Sequence, residues 1–127
     1  MTLDDPDVLA EFTAAFERYE RALMANDVET LESLFRNAAS TVRYGVGENL
    51  YGYEEIERFR AERPGGSPQR RITRRSLSSY GAEFATAHVE FQREGSARIG
   101  RQTQAWIKGE NGWQVVSAHV SIMADHA

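Results

Sequence analysis

The sequence predicts an α+β fold, with helices packed on one face of a strongly curved antiparallel sheet. Two observations predict it. Apolar residues recur at helical spacing through the first part of the chain, and four long, turn-linked runs of strand-forming residues fill the last part. A strand pair and one more helix lie between them, so the order is two helices, two strands, a helix and a meander. A sheet bent this far wraps around a helix and leaves a cone whose open end is a pocket.

The first helix is predicted over Asp7 to Asn26. Pro6 lies just before it, and acids fill its first turn, where they suit the positive end of the helix dipole. Leu9, Phe12, Phe16, Tyr19 and Leu23 form one apolar stripe, with Glu17, Arg18, Glu20 and Arg21 off it. Tyr19 therefore points inward. Its hydroxyl either meets a carbonyl or water, as buried tyrosines do, or serves a pocket. Asn26 and Asp27 break this helix and cap a short second one through Val28, Leu31 and Leu34 that ends near Phe35.

Thr41 to Val46 reads as a strand, with Arg43 and Gly45 on one face and Val42, Tyr44 and Val46 on the other. Gly45 and Gly47 mark a bulge or a close backbone approach. Leu50 to Gly52 resumes an extended path, and Tyr53 to Glu62 is a third helix that Pro64, Gly65 and Gly66 stop. The strands of the meander are expected over Arg70 to Ser79, Glu83 to Arg93, Ala97 to Lys108 and Trp113 to Met123. Asp125 to Ala127 are expected to fray.

Length and composition set limits. The 127 residues are read as one domain, residues 1–127, with a single core. A net charge of -4 argues against nucleic acid as a partner. With no cysteine there is no disulfide, thiol chemistry or cysteine-bound zinc, and the three histidines have no metal-ligand spacing. The reading calls for no metal and no cofactor. The acidic start is no secretory signal and no apolar run spans a membrane, so a cytoplasmic protein without a membrane partner is expected.

The stretch from Thr41 to Pro64 carries the sharpest chemical signal. It holds Arg43 inside a strand, Glu48 in a glycine-rich turn, and Arg60 and Arg63 on one helix. A guanidinium in a poorly solvated site needs an acid, either Glu48 or Glu90 of the chain or a ligand carboxylate. Arginine suits a planar carboxylate because two parallel N–H bonds can form. Arg60, beside Phe59, is expected inward; Arg63 reads as a surface cation. Glu48 either caps the turn, pairs with Arg43 or touches substrate. His119 shares a strand face with Val115, Ser117, Ser121 and Met123, and is either structural or catalytic. Gln102 and Gln104 either contact a ligand or pair across strands. Trp106 and Trp113 are core or dimer-face residues. No nucleophile elbow, P-loop or dinucleotide fingerprint is present.

Three segments carry a resemblance over nearly the whole chain: VRYGVGENLYGYEEIERFRAERP, RQTQAWI and GWQVVSAHVSIM. With the element order they resemble the nuclear-transport-factor-2-like (SnoaL-like) cone fold. More narrowly, they are similar to the small family that includes the oxalurate catabolism protein and the 1,3-dicarboxyurea-processing protein of bacterial cyanuric acid breakdown. The resemblance implies a cytoplasmic homodimer acting on small carboxylated ureas beside an amidase of nitrogen catabolism. It also implies a pocket pair of a helix tyrosine and a strand arginine, which by position are Tyr19 and Arg43.

Three functions follow as expectations. The first is a metal-free decarboxylating amidohydrolase-type enzyme that takes 1,3-dicarboxyurea to allophanate. Tyr19 and Arg43 would be catalytic, and Arg60, Glu48, His119, Gln104 and Ser121 would bind substrate. The second is a non-catalytic module that binds a ureido acid or serves a partner amidase. The third is a ketosteroid-isomerase-like proton shuttle with Glu48 or Glu90 as base, disfavoured by the arginines that would depress such a base. A homodimer is expected through the helix-free sheet face, with Ile72, Phe84, Val89, Phe91 or Trp106 as its apolar contacts.

Overall fold

A computed structural model describes residues 1–125. Of the fraying expected over Asp125 to Ala127, the part at residues 126 and 127 lies outside the described residues. In chain order the elements are α1 (Pro6–Ala25), α2 (Val28–Ser33), β1 (Val42–Tyr44), β2 (Asn49–Tyr51) and α3 (Tyr53–Glu62). The meander follows as β3 (Arg70–Tyr80), β4 (Phe84–Arg93), β5 (Gly100–Gly109) and β6 (Gly112–Ile122). The strands form one sheet in the order β2-β1-β6-β5-β4-β3. This is the expected α+β cone, with helices against a curved six-stranded sheet.

Local chemistry sets α1. The Asp5 carboxylate accepts from the backbone N–H groups of Asp7 and Val8 at 3.1 and 3.2 Å. Pro6 sits inside the first turn, where its missing N–H costs nothing. Asn26 ends the helix in the left-handed region, φ 53°. The buried side of α1 is Phe12, Phe16, Tyr19, Ala22 and Leu23. Phe12 meets Trp106 edge-on at 5.5 Å and packs on Trp113 at 5.3 Å, which places both tryptophans in the core.

The sheet is antiparallel except where β1 runs parallel to β6, Val42 opposite Ser117 and Tyr44 opposite His119. The wholly antiparallel expectation is corrected at this pair. Turn signals report only on sequence neighbours, whereas β1 reaches β6 through the helical excursion before it. A parallel bridge between Phe35 and Val115 already sets that direction.

Two further expectations are corrected by register. In β6 the pairing steps from Ala105–Ser117 to Trp106–Val115, leaving Val116 as an extra residue. The bulge swaps the faces, so Trp113 and Val115 point inward before it, and Ala118 and Val120 after it. Val115 therefore does not share a face with Ser117, His119 and Ser121. The apolar outer face is corrected as well. Val89, Phe91 and Trp106 are buried under α1, Ile72 packs on the core, and only Phe84 of the five is turned out. Phe84 differs in parity from Val89 and Phe91 on one strand, so they cannot share a face. The outer face instead carries the row Arg74, Glu90, Arg101 and the row Ser76, His88, Thr103, His119. Among the described residues, no helix is long and apolar enough to cross a membrane.

Candidate functional site

The hollow of the cone lies at the C-terminal half of α1, under β1, the end of α3 and the β3–β4 edge. It has two lobes of about 30 and 20 Å3, which share Tyr19, Leu23, Arg43, Arg63 and Ser67. Arg70, Phe91, Arg93 and Gln102 complete the larger lobe; Ile56, Phe59 and Arg60 complete the smaller. Each lobe has room for a water or two, so a ureido acid enters only if side chains swing aside.

Tyr19 comes from the buried stripe of α1. Its ring is held by Phe16 at 6.5 Å, Phe35 at 6.2 Å and Trp106, edge-on, at 6.0 Å. The other four tyrosine hydroxyls all have partners: Tyr44 with Tyr51, Tyr53 with the Glu32 carbonyl, and Tyr80 with Thr86. The Tyr19 hydroxyl has none among the described residues, although the residue is only 3% exposed. The core-hydrogen-bond alternative therefore finds no protein partner.

Arg43 points inward from β1, and its Nη1 meets Glu48 Oε1 at 3.0 Å. The turn makes this contact possible. Glu48 folds back over Gly45, where a Cβ would lie 1.8 Å from the carboxylate oxygen. The other carboxylate oxygen accepts from the Gly47 N–H at 3.2 Å. Arg60 is inward as expected, but it is paired with Glu32 at 2.9 Å and lies over the Phe35 ring at 4.9 Å.

The structure adds three arginines. Arg70 donates to both carboxylate oxygens of Glu20, at 2.6 and 3.0 Å, and to Gln102 Oε1 at 3.2 Å. It also lies over the Phe91 ring at 4.5 Å. Arg63, expected as a surface cation, lines both lobes and donates to Ser67 Oγ at 3.3 Å. Arg93, opposite Arg70 in the ladder, lines the larger lobe. Burial is the main influence lowering both the Arg63 and the Arg93 guanidinium pKa, with Arg43 adding to it for Arg63 and Arg70 for Arg93. Five arginines thus line the hollow, three of them paired with carboxylates, and Arg63 and Arg93 have none among the described residues.

The remaining predicted site residues fall elsewhere. His119 is exposed on the outer face, edge-on to Tyr44 at 5.5 Å, and Ser121 lies on that face too. Both are corrected as pocket residues, because the Val116 bulge leaves them on the side away from α1. Gln104 is inward and buried, but its Oε1 accepts from Trp106 Nε1 at 3.0 Å and it does not line either lobe. Its neighbour Gln102 does. Glu90 is on the outer face. Arg70 and Arg93 sit opposite each other across the β3–β4 hairpin. Counting back from its turn would have found them but for the irregularity between Ile72 and Arg74. Among the described residues no three His, Asp or Glu side chains gather where a metal could be held.

The comparisons with known proteins bear on the family and the fold. The family model described as AtzH-like matches residues 1–126. A protein of unknown function from the DUF3225 family of Pectobacterium atrosepticum is 51% identical, over 96% of this chain and 95% of that one, with a TM-score of 0.93. A cystatin-like fold protein from Burkholderia xenovorans is 38% identical over 99% of both chains, also with a TM-score of 0.93. A nuclear-transport-factor-2-like protein from Salmonella enterica, 21% identical over 95% of this chain and 94% of that one, shares the fold with a TM-score of 0.77. Among curated proteins there is no match.

Proposed function

The chain belongs to the AtzH-like family, and from that premise we propose that it removes an N-carboxyl group from a carboxylated urea, taking 1,3-dicarboxyurea to allophanate. In this reaction the bond between nitrogen and the carboxyl carbon breaks and carbon dioxide leaves. The electron pair stays on nitrogen, which takes a proton. Tyr19 is the donor of that proton and is reprotonated from water. Arg43 holds the carboxylate that stays on the product, through the guanidinium N–H groups that Glu48 leaves free, so the group that leaves as neutral carbon dioxide is not held back.

The observation that carries this reading is the unpartnered Tyr19 hydroxyl on an arginine-lined hollow. A hydroxyl on a buried ring that opens on the hollow and has no protein partner among the described residues is available to a ligand, and nearby cations favour negative charge where the tyrosine acts. The substrate is labile, so two positioned groups suffice. The test is to incubate the protein with 1,3-dicarboxyurea made in situ and follow allophanate. Release faster than in buffer is expected; no acceleration, here or with related ureido acids, overturns the reading.

One observation favours a second reading, a ureido-acid-binding module or accessory subunit of a partner amidase. The carboxylates beside the hollow, Glu20, Glu32 and Glu48, are each paired with an arginine, and no carboxylate lines either lobe among the described residues. Saturable binding without product would select this reading. The same pairing counts against a proton shuttle of the ketosteroid isomerase kind.

A further inference from the structure

We propose that Arg63 and Arg93 form a second anion pole, beside the Arg43–Glu48 pair, that makes the site select ligands with two carboxylates over ligands with one. The inference rests on the reading of the hollow as a pocket for a carboxylated urea and assigns the residues that set its charge preference.

Three observations carry it. Glu48, Glu32 and Glu20 offset Arg43, Arg60 and Arg70. Arg63 and Arg93 are half-buried, line the same lobe and make no ion pair among the described residues; Glu48, already paired with Arg43, is the carboxylate that acts on both. A guanidinium out of water without an acid is costly, so two of them favour an occupant that brings negative charge.

The second observation is Gln102, which is 3% exposed and lines this lobe. Arg70 donates to its Oε1, which fixes the amide orientation, because a guanidinium has no acceptor to offer an NH2 group. Its Nε2 is then a buried donor with no acceptor. A ligand rich in oxygen acceptors would satisfy it; an apolar one would not.

The third is the way in. A groove of about 640 Å3 opens on the surface and shares Arg70 and Arg93 with the larger lobe. Arg70 is fixed by two bonds to Glu20, one to Gln102 and the Phe91 ring. Arg93 has no side-chain hydrogen bond or ion pair among the described residues, so it is the movable part of the wall. A dianion entering from the groove, which Arg71 and Glu94 also line, passes Arg93 to reach the lobe and lies between Arg93 and Arg63 once inside.

Calorimetry with succinate and malonate as dianionic probes, and N-carbamoylglycine as the monoanionic one, tests the pole without requiring turnover. Wild type is expected to bind the better dianion at least about tenfold more tightly than the monoanion. Arg63→Gln and Arg93→Gln should each lower dianion affinity about 10- to 100-fold and change monoanion affinity less than about threefold. Arg93→Lys keeps the charge and should restore most of the preference. Neither arginine makes an ion pair among the described residues, and only Arg63 has side-chain partners, Ser67 Oγ and the Phe59 ring, so Arg93→Gln is expected to melt at or above the wild-type temperature and Arg63→Gln close to it. Should one fail to fold, the wild-type preference and the lysine variant still decide. Equal loss for both probe classes, or a wild type that binds them equally, overturns the pole. Dianion preference without allophanate release would leave the pole standing and remove the enzymatic reading. Allophanate release with an unchanged preference in both glutamine variants would do the reverse.

Discussion

Replacing Tyr19 by phenylalanine separates chemistry from packing. The Tyr19 ring rests against Phe16, Phe35 and Trp106, and phenylalanine keeps all three contacts. Only the hydroxyl is lost. A typical buried hydrogen bond contributes about 1 kcal/mol net. This hydroxyl has no protein partner among the described residues, so that contribution is not there to lose. For a chain of this length 1 kcal/mol corresponds to roughly 4 °C in Tm, and Tyr19→Phe should therefore melt within about 2 °C of wild type. Turnover of 1,3-dicarboxyurea should fall about 100- to 10,000-fold, which is roughly 3 to 5 kcal/mol of barrier. Affinity for an inert dicarboxylate should change less than about threefold, because a contact made only in the transition state shows in the rate. Thermal melting, calorimetry and single-turnover assays of one preparation give all three numbers. Normal turnover, or a loss of more than about 8 °C, would refute the reasoning and make Tyr19 a core residue.

Three other outcomes follow from the same geometry. Gly45→Ala puts a Cβ where Glu48 Oε1 lies, so it should release Glu48 from Arg43 and destabilise by about 1 to 3 kcal/mol in urea. In a Glu48→Gln background, where the ion pair with Arg43 is already gone, the same change should cost much less, and additive losses would show that loss of that pair is not the cost. Glu20→Gln leaves Arg70, whose side chain is 5% exposed, without its acid; a loss of about 3 kcal/mol is expected, and a loss below about 1 kcal/mol would mean that Gln102 and Phe91 suffice. The Asp27 carboxyl is held below its ordinary 3.8, first by the Thr30 hydroxyl and then by the Thr30 N–H. Because the folded value is the lower one, this cap stabilises above the unfolded value and is lost as pH falls through the folded value. An NMR titration should place its midpoint under 3.8 and Thr30→Ala should raise it; a midpoint at or above 3.8 contradicts the cap.

The meander and α3 were legible because their signals are local. β3 to β6 alternate and are separated by short turns, and α3 runs over its expected Tyr53–Glu62, bounded by Gly52 and by Pro64 and the glycines after it. What escaped is non-local. Nothing near Val42 says that it will lie parallel to Ser117. A single extra residue, Val116, reverses the faces of the last strand, moving His119 and Ser121 out of the expected pocket and Val115 into the core. Gln102 and Gln104 were legible as a polar pair on one face, yet which of them lines the hollow depends on how far the sheet curves.

The anion site shows the same division in its charges. Three of the four arginines between Thr41 and Pro64, namely Arg43, Arg60 and Arg63, with few acids to meet them inside a core, argued for a pocket that attracts anions. In the fold, two of the three are met: Arg43 by Glu48, five residues on, and Arg60 by Glu32, which arrives from another helix. The unmet charge sits on Arg63 and on Arg93, which is far away in sequence. A local reading counts charges but not their partners, since partners such as Glu32 and Glu20 are brought in by packing. The excess charge sits partly on a residue outside that stretch, Arg93, because α3 and the open edge of the sheet bring more guanidinium groups to the hollow than α1, α2 and the β1–β2 turn bring carboxylates. Unmet half-buried cations weaken the empty fold, and a dianion that meets them returns that stability as binding. A dicarboxylate should therefore raise Tm in wild type more than in Arg63→Gln or Arg93→Gln, where the repulsion is already relieved and less remains to be gained.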